Sequence, residues 1–257
     1  MKQFAKETKL FIYEGIGVLI LFLTWWLISL LAQSLVVPGP IETFGFMFSD
    51  MLPINFFWNN LGISAFRLIL TSLIACVIGV ILGILGGIFK PLRSVLKPIM
   101  NFMRATPIII IVTIIMIYFS SSLSPFIIGA FVIIPIFYEA IAGNLDKTDE
   151  SIMMALRTDG YNPRGFKALF LIRLPLIKDQ FGIAALTSLG LAFKAIIAVE
   201  ILTGNSEVGG LGSLLRIYRQ DANMAGMFAL TIIIVLIIVI FDGLIALIKY
   251  LALDRKT

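Results

Sequence analysis

The chain has 257 residues, 60% of them apolar and 14% charged, with 20 basic and 15 acidic side chains, one Cys and no His. Soluble domains carry about a quarter charged residues, so this composition excludes an ordinary soluble enzyme, a disordered chain and a nucleic-acid-binding domain. Cys76 lies inside an apolar run and no carboxylates cluster at ligand spacing, so the usual metal and thiol chemistries are absent and no internal disulfide is possible.

A bilayer core of roughly 30 Å takes about 20 helical residues to cross, and six charge-poor runs of about that length follow one another. The first lies in the uncharged stretch 15–41, its apolar part ending near Leu31. Ala32-Gln33-Ser34 faintly resembles a cleavage site, but signal-peptide cores are only about 7–15 residues long, so this segment reads as a retained helix. Trp25, Trp26 and Trp58 are candidates for the interfacial aromatic belt. The second run is Arg67 to Phe89, set off by Asn59-Asn60 before it and Lys90-Pro91 after it.

No charge occurs between Arg104 and Glu139, and Ser120-Ser121-Ser122-Leu123-Ser124-Pro125 reads as a turn dividing this stretch in two. Starting the third span near Pro98 and ending the fourth near Asn144 makes both long enough, with Arg104 and Glu139 near one membrane face. The fifth runs from about Phe181 to Thr203 with Lys194 and Glu200 inside it. The sixth runs from about Met224 to Ala252 and contains Asp242.

Basic residues set the orientation. Most of the 20 fall at the amino end (Lys2, Lys6, Lys9), between Lys90 and Arg104, between Lys147 and Lys178, and at the carboxyl end, whereas Arg216 and Arg219 stand in the alternate loops. The positive-inside rule then places both termini in the cytoplasm, and the net charge of +5 needs no polyanionic partner.

The segment 143–178 is a long polar loop. Thr148 or Asp149 can cap a short helix carrying Ile152, Met153 and Leu156 on one side, Gly160 stops it, Tyr161-Asn162-Pro163-Arg164-Gly165 turns, and Phe166 to Ile172 resumes helix. Such a cytoplasmic hairpin is either a docking element or an interfacial helix on the anionic leaflet.

At these residues the chain resembles the permease subunits of binding-protein-dependent ABC importers, in particular the nitrate, sulfonate, taurine and bicarbonate branch. The loop is similar to the family's cytoplasmic signature at Ala155, Gly160 and Ile172-Arg173-Leu174-Pro175, with Met154 where the family has Glu and a Gly160-to-Leu174 interval about two residues longer than usual. Leu35-Val36-Val37-Pro38-Gly39-Pro40, Ser64-Ala65-Phe66-Arg67, Arg104-Ala105-Thr106-Pro107, Ala198-Val199-Glu200 and Gly210-Leu211-Gly212 match further elements in order. The resemblance implies an all-α integral membrane protein of about six transmembrane helices, a single permease domain over 1–257 with a coupling loop at 143–178. It implies that Met154, Ala155, Gly160, Leu174 and Pro175 meet a separate ATP-binding subunit, and that an external substrate-binding protein delivers a small anionic solute. A second permease copy, most simply a homodimer, completes the path in the lipid membrane. ATP and Mg belong to the ATPase: no Gly-x-x-x-x-Gly-Lys-Ser/Thr occurs here, and this chain itself is no enzyme and holds no cofactor or metal.

Ionisable groups within spans cost at least about 2.5 kcal/mol each on insertion scales, so they face partners or water. Arg67 and Glu200 match in depth and are expected to pair, and Lys194 with Asp242 forms a second candidate pair. Six residues separate Lys194 from Glu200, which puts them on different faces of one helix. The pairs either lock helices or lend positive potential to an anion path. Ala75, Gly79, Gly83 and Gly87 recur every four residues, a small-residue stripe suited to close helix packing. The Gly-rich stretch 204–222 reads as an external turn or shallow re-entrant segment, able to receive the binding protein. The competing function is a self-contained secondary transporter or channel, which would need no cytoplasmic hairpin; no internal repeat favours it.

Overall fold

The computed structural model describes residues 2–32, 36–146, 150–163, 165–204 and 208–254, and among these all regular structure is helical. Helix α1 is Lys2–Leu31 and α2 is Pro40–Phe46, continued by a π turn at Met47–Met51. Helix α3 is Asn55–Ile88, α4 Lys90–Ala105, α5 Ile108–Tyr118, and α6 Ser124–Tyr138 with a π turn at Glu139–Gly143. The helix of the long loop, α7, is Glu150–Thr158; α8 is Lys178–Thr203, α9 Leu211–Gln220 and α10 Met224–Asp254. Among the described residues four helices are long and apolar enough to cross a bilayer alone: α3, α6 with its π turn, α8 and α10. The apolar part of α1, Gly15–Leu31, is shorter.

The core forms where α3, α6 and α8 pack together. Gly79 faces Phe137, Gly83 faces Ile141 and Gly87 faces Leu145, a constant offset that makes α3 and α6 parallel. A Cβ at Gly79 would stand 2.6 Å from Phe137 Cβ and 2.9 Å from the Ile134 carbonyl, so the stripe begun by the fully buried Ala75 permits a close approach that no larger side chain allows. Helix α8 runs the opposite way: Glu200 meets Arg67 and Ile196 lies beside Gly129, which itself faces Thr71. Phe193, Ile196, Leu68, Ile133 and Leu230 fill the space between.

Because α3 and α6 are parallel, the chain between them must return across the spans, and it does so by α4 and α5. These two helices meet at 98°. The third span expected to begin near Pro98 is therefore not one helix. Thr106 precedes a proline and sits at φ −74°, ψ 125°, and Pro107 has no N–H to carry the ladder on, so the helix stops at Ala105 and restarts at Ile108. Along α4, Arg93 reaches the Ala142 carbonyl and Arg104 reaches Glu139. Eleven residues of α4 are about 16 Å, three residues of α6 about 4.5 Å, so α4 crosses the end of α6 steeply.

One other boundary differs from the sequence reading. Helix α3 starts at Asn55, before the Asn59-Asn60 pair that seemed to bound it, because Asn60 folds its amide onto the Phe56 carbonyl within the helix. Trp25 packs between helices: its ring stacks on Phe228, meets Phe44 edge-on, and its indole N–H donates to the Pro38 carbonyl, tying α1 to α2 and α10. Trp26 and Trp58 are exposed. The expectations at Gln33, Ser34, Leu35, Lys147, Thr148, Asp149 and Arg164 lie outside the described residues.

Candidate functional site

The charged side chains fall into a buried set at one end of α3, and exposed pairs along α6, α8 and α10. In the buried set, Arg67 Nη1 donates to Glu200 Oε1 at 2.7 Å, with the Glu200 side chain 0% and the Arg67 side chain 6% exposed. Neither ion is left with a bare flank. The second carboxylate oxygen accepts from Ser64 Oγ at 2.7 Å and from the Gly212 N–H at 3.0 Å, while Arg67 also donates to the carbonyls of Gly209 and Val208. Asn60 Oδ1 accepts from the Gly210 N–H and Ser64 Oγ from the Leu211 N–H. A buried pair that is hydrogen-bonded on every side avoids most of the desolvation cost that would make an isolated pair unfavourable.

This set decides what 204–222 is. Gly209 and Gly210 take φ +65° and +109°, turning the chain so that three consecutive N–H groups point at Asn60, Ser64 and Glu200, after which α9 begins. A Cβ at Gly210 would lie 2.5 Å from the Glu200 carboxylate. From Leu211 to Gln220 the segment is thus helix, and its Gly-Leu-Gly is a cradle packed under Glu200, with Leu211 fully buried. Arg216 on α9 closes the other side by donating to the carbonyls of Leu202 and Gly204 at the end of α8.

The remaining charges of the spans are half exposed. Lys194 Nζ stands 3.6 Å from Asp242 Oδ2, the side chains 49% and 56% exposed, beside a cavity of about 350 Å³. Arg104 Nη2 stands 3.7 Å from Glu139 Oε2 beside another of about 290 Å³. Lys194 and Glu200 lie on different faces of α8 and share no contact partner among the pairs described.

At the opposite end of α3 from Arg67, the long loop folds back on α6. Helix α7 buries Leu156 and leaves Met154 and Ala155 exposed; it ends in a Schellman turn, with Tyr161 N–H donating to Leu156 O, Gly160 N–H to Arg157 O, and Gly160 at φ +77°. Three short turns follow, Phe166–Ala168, Leu169–Arg173 and Leu174–Leu176, with Pro175 in the first turn of the last. Arg173 is buried and donates to the carbonyls of Leu145 and Pro163, pinning the hairpin to the end of α6. Phe166, Phe170, Leu171 and Leu176 remain exposed on the outside, together with Met154.

Arg93, counted in the sequence only among basic loop residues, and Arg173, there one residue of the loop signature, therefore hold the carbonyls of Ala142 and Leu145 at and just past the end of α6. Their signal was the clustering of cations where α6 ends, where a helix dipole favours positive charge. Asn60 and Ser64 were missed as carboxylate supports; their four-residue spacing to each other and the three to Arg67 put all three on one face of α3.

Residues 75–249 match the family model described as the binding-protein-dependent transport system inner membrane component. The chain is similar to the glycine betaine/carnitine transport permease protein GbuB of Listeria monocytogenes, with 27% identity over 192 residues covering 73% of this chain and 65% of that protein. It is also similar to the taurine transport system permease protein TauC of Escherichia coli, with 23% identity over 85% of this chain and 82% of the relative. A third, the glycine betaine/proline betaine transport system permease protein ProW of Escherichia coli, is 28% identical over 66% of this chain and 48% of its own length. The chain thus spans under two thirds of the length of two of these relatives.

Proposed function

The chain belongs to the family of inner membrane components of binding-protein-dependent transport systems, and on that premise we propose that it is the permease subunit of an ATP-driven importer, residues 1–257 forming one permease domain. As a family member it is a multi-pass membrane transport component and no enzyme. The proposal adds six spans, α1, α3, the bent pair α4–α5, α6, α8 and α10, with both termini and the loop 143–178 in the cytoplasm. Two facts support that path: α3 and α6 are parallel and so need a return crossing, and the Lys90–Arg104 and Lys147–Lys178 cations lie at the ends this topology puts inside.

The observation that carries the importer reading is the hairpin. Met154, Phe166, Phe170, Leu171 and Leu176 expose apolar surface outside the spans, a surface suited to a protein partner. That partner is a separate ATP-binding subunit carrying the ATP and Mg, docked around Met154, Ala155, Gly160, Leu174 and Pro175, while an external binding protein delivers the solute and a second copy of this chain closes the path. The solute is small and carries an anionic group. The narrower nitrate, sulfonate, taurine and bicarbonate placement rests on the motifs around Glu200 and on the taurine relative. The two relatives named for betaines widen the range to carboxylates bearing a quaternary nitrogen.

The test is to purify the protein from its native membrane in mild detergent and identify by mass spectrometry what accompanies it. A polypeptide carrying Gly-x-x-x-x-Gly-Lys-Ser/Thr at one copy per permease is the expected result. A protein that purifies alone and transports without ATP after reconstitution would make it a secondary transporter.

A further inference from the structure

Helix α4 carries three chemically distinct faces. Leu92, Leu96, Met100 and Met103 pack on Tyr138 and Ala142 at the end of α6. Val95, Ile99 and Phe102 are exposed and apolar, as contact with hydrocarbon requires. Arg93, Lys97, Asn101 and Arg104 follow one another at spacings of four, four and three residues, a polar stripe on the side of the helix opposite Val95, Ile99 and Phe102. A helix with cations along one face and apolar residues along the other suits the membrane interface. In the bent pair α4–α5, α4 is thus the shallow limb, crossing the end of α6 with its cations turned away from the hydrocarbon.

Between this stripe and the end of α6 lies a cavity of about 270 Å³, lined by the stripe and by Tyr138, Glu139 and Gly143. Two of its cations are held in place: Arg93 Nη1 donates to the Ala142 carbonyl at 2.6 Å, and Arg104 Nη2 to Asn101 Oδ1 at 3.0 Å. Lys97 is exposed and has no hydrogen-bond or ion-pair partner among the described residues. Only Glu139 opposes these groups. Its carboxylate lies over Gly143, where any Cβ would collide with it, and stands 3.7 Å from Arg104, too far for a hydrogen bond. The lining therefore bears three cations against one carboxylate, whereas the cavity beside Lys194 and Asp242 bears one of each. An excess of positive charge around so small a space calls for an anion. Two guanidinium groups with an ammonium between them along one helix face match the several oxygens of a phosphate group.

We infer that the cavity between the Arg93–Lys97–Arg104 stripe of α4 and the end of α6 binds a phosphate group, carried by an anionic phospholipid or by a soluble phosphate, and that Glu139 weakens this binding by competing for Arg104. The inference rests on the permease reading, whose topology puts this end of α6 at the cytoplasmic face. Basic pockets at that face are suited to phospholipid headgroups, and the apolar stripe of α4 keeps the cavity within reach of the leaflet. An arriving phosphate takes Arg104 from Glu139 at little cost, because that pair is half exposed and not hydrogen-bonded. The buried Arg67–Glu200 pair offers no such opening, since its own partners saturate it.

The test uses the complete complex, purified with whatever subunits accompany it and stripped of native lipid in detergent. Its Tm is followed while dioleoylphosphatidylglycerol, dioleoylphosphatidylcholine or inorganic phosphate is added at constant ionic strength, and the half-saturating concentration is read from the rise. The expected result is a saturable rise with an anionic probe and none with phosphatidylcholine. Lys97→Gln, at an exposed side chain without partners, should raise the half-saturating concentration about fivefold, and Glu139→Gln should lower it by about the same factor. Arg219→Gln, a cation on α9 outside the cavity, should leave it unchanged. Saturation by phosphatidylglycerol that inorganic phosphate does not displace would identify the lipid as the source, and equal saturation by phosphate alone the soluble anion. Equal effects of the two lipids, no rise with either anionic probe, or a rise indifferent to Lys97→Gln would each overturn the site. Displacement of the anion by glycine betaine or taurine, the solutes in the relatives' names, would make the cavity part of the solute path and overturn it too. Absence of an ATPase from the same preparation would count against the importer reading alone, since every group of the cavity belongs to this chain.

Discussion

Arg67 and Glu200, 133 positions apart in the chain, join α3 to α8 by a 2.7 Å ion pair whose carboxylate is fully buried. Removal of either partner strands the other in a low-dielectric site. Arg67→Ala and Glu200→Ala should each destabilise the protein by about 3–5 kcal/mol, and the double variant should cost markedly less than their sum. Thermal unfolding in detergent measures this cycle; additive losses would mean the two charges are not coupled. Lys194→Ala, removing a half-exposed partner, should cost no more than about 1 kcal/mol.

The glycine cradle under Glu200 should be intolerant of even one methyl group. Gly210→Ala adds a Cβ 2.5 Å from the carboxylate at a φ of +109°, and Gly212→Ala one 2.5 Å from Glu200 Cβ. Each should cost about 1–3 kcal/mol in the same unfolding assay. Gly62→Ala, on α3 with nothing within 4 Å, should be neutral or slightly stabilising.

The contact of α3 with α6 makes a steric prediction. Gly83→Leu must displace Ile141, whose Cβ is 2.9 Å from the site of the new Cβ, and should lower stability by about 1–3 kcal/mol or more. Gly83→Ala should cost less. Equal tolerance of Ala and Leu, judged by yield of monodisperse protein and its Tm, would mean that the two helices separate freely.

Gly160 tests coupling apart from folding. Its site is open, with nothing within 4 Å, so Gly160→Val meets only the strain of φ +77°, about 1–2 kcal/mol. Membrane insertion should survive, while ATP hydrolysis measured in proteoliposomes should continue without solute uptake. Normal coupled uptake in this variant would remove the α7 turn from the ATPase contact.

Several features were legible because one-dimensional patterns carry them. The matched depths of Arg67 and Glu200 follow from where hydropathy begins and ends, the Ala75–Gly87 stripe from its four-residue period, and the Gly160 stop from the helix pattern broken there. Others were not, because they depend on what lies across a gap. Asn60 looked like a boundary residue and is a helical one, its polarity answered by Phe56 and by Gly210. Pro98 looked like the start of a span, whereas the break falls at Thr106-Pro107. The Gly-Leu-Gly at the start of α9 read as part of an external turn or shallow re-entrant segment, and its place as the floor of a buried carboxylate site shows only in the fold.

By itself the sequence determines the solvent of this protein, since hydropathy acts through the bilayer and not through any neighbour. It also names most of the charged groups that a span cannot leave alone. Only the tertiary structure decides which charges are sealed and which are open. Arg67–Glu200 and Lys194–Asp242 are alike on paper, both ion pairs within spans, yet one is closed by Ser64 and the Gly209–Gly212 backbone and the other stands half exposed beside a cavity. The difference arises from the parallel packing of α3 on α6 and the antiparallel α8 over both, which buries the face of α8 that carries Glu200 and leaves Lys194 on an uncovered face.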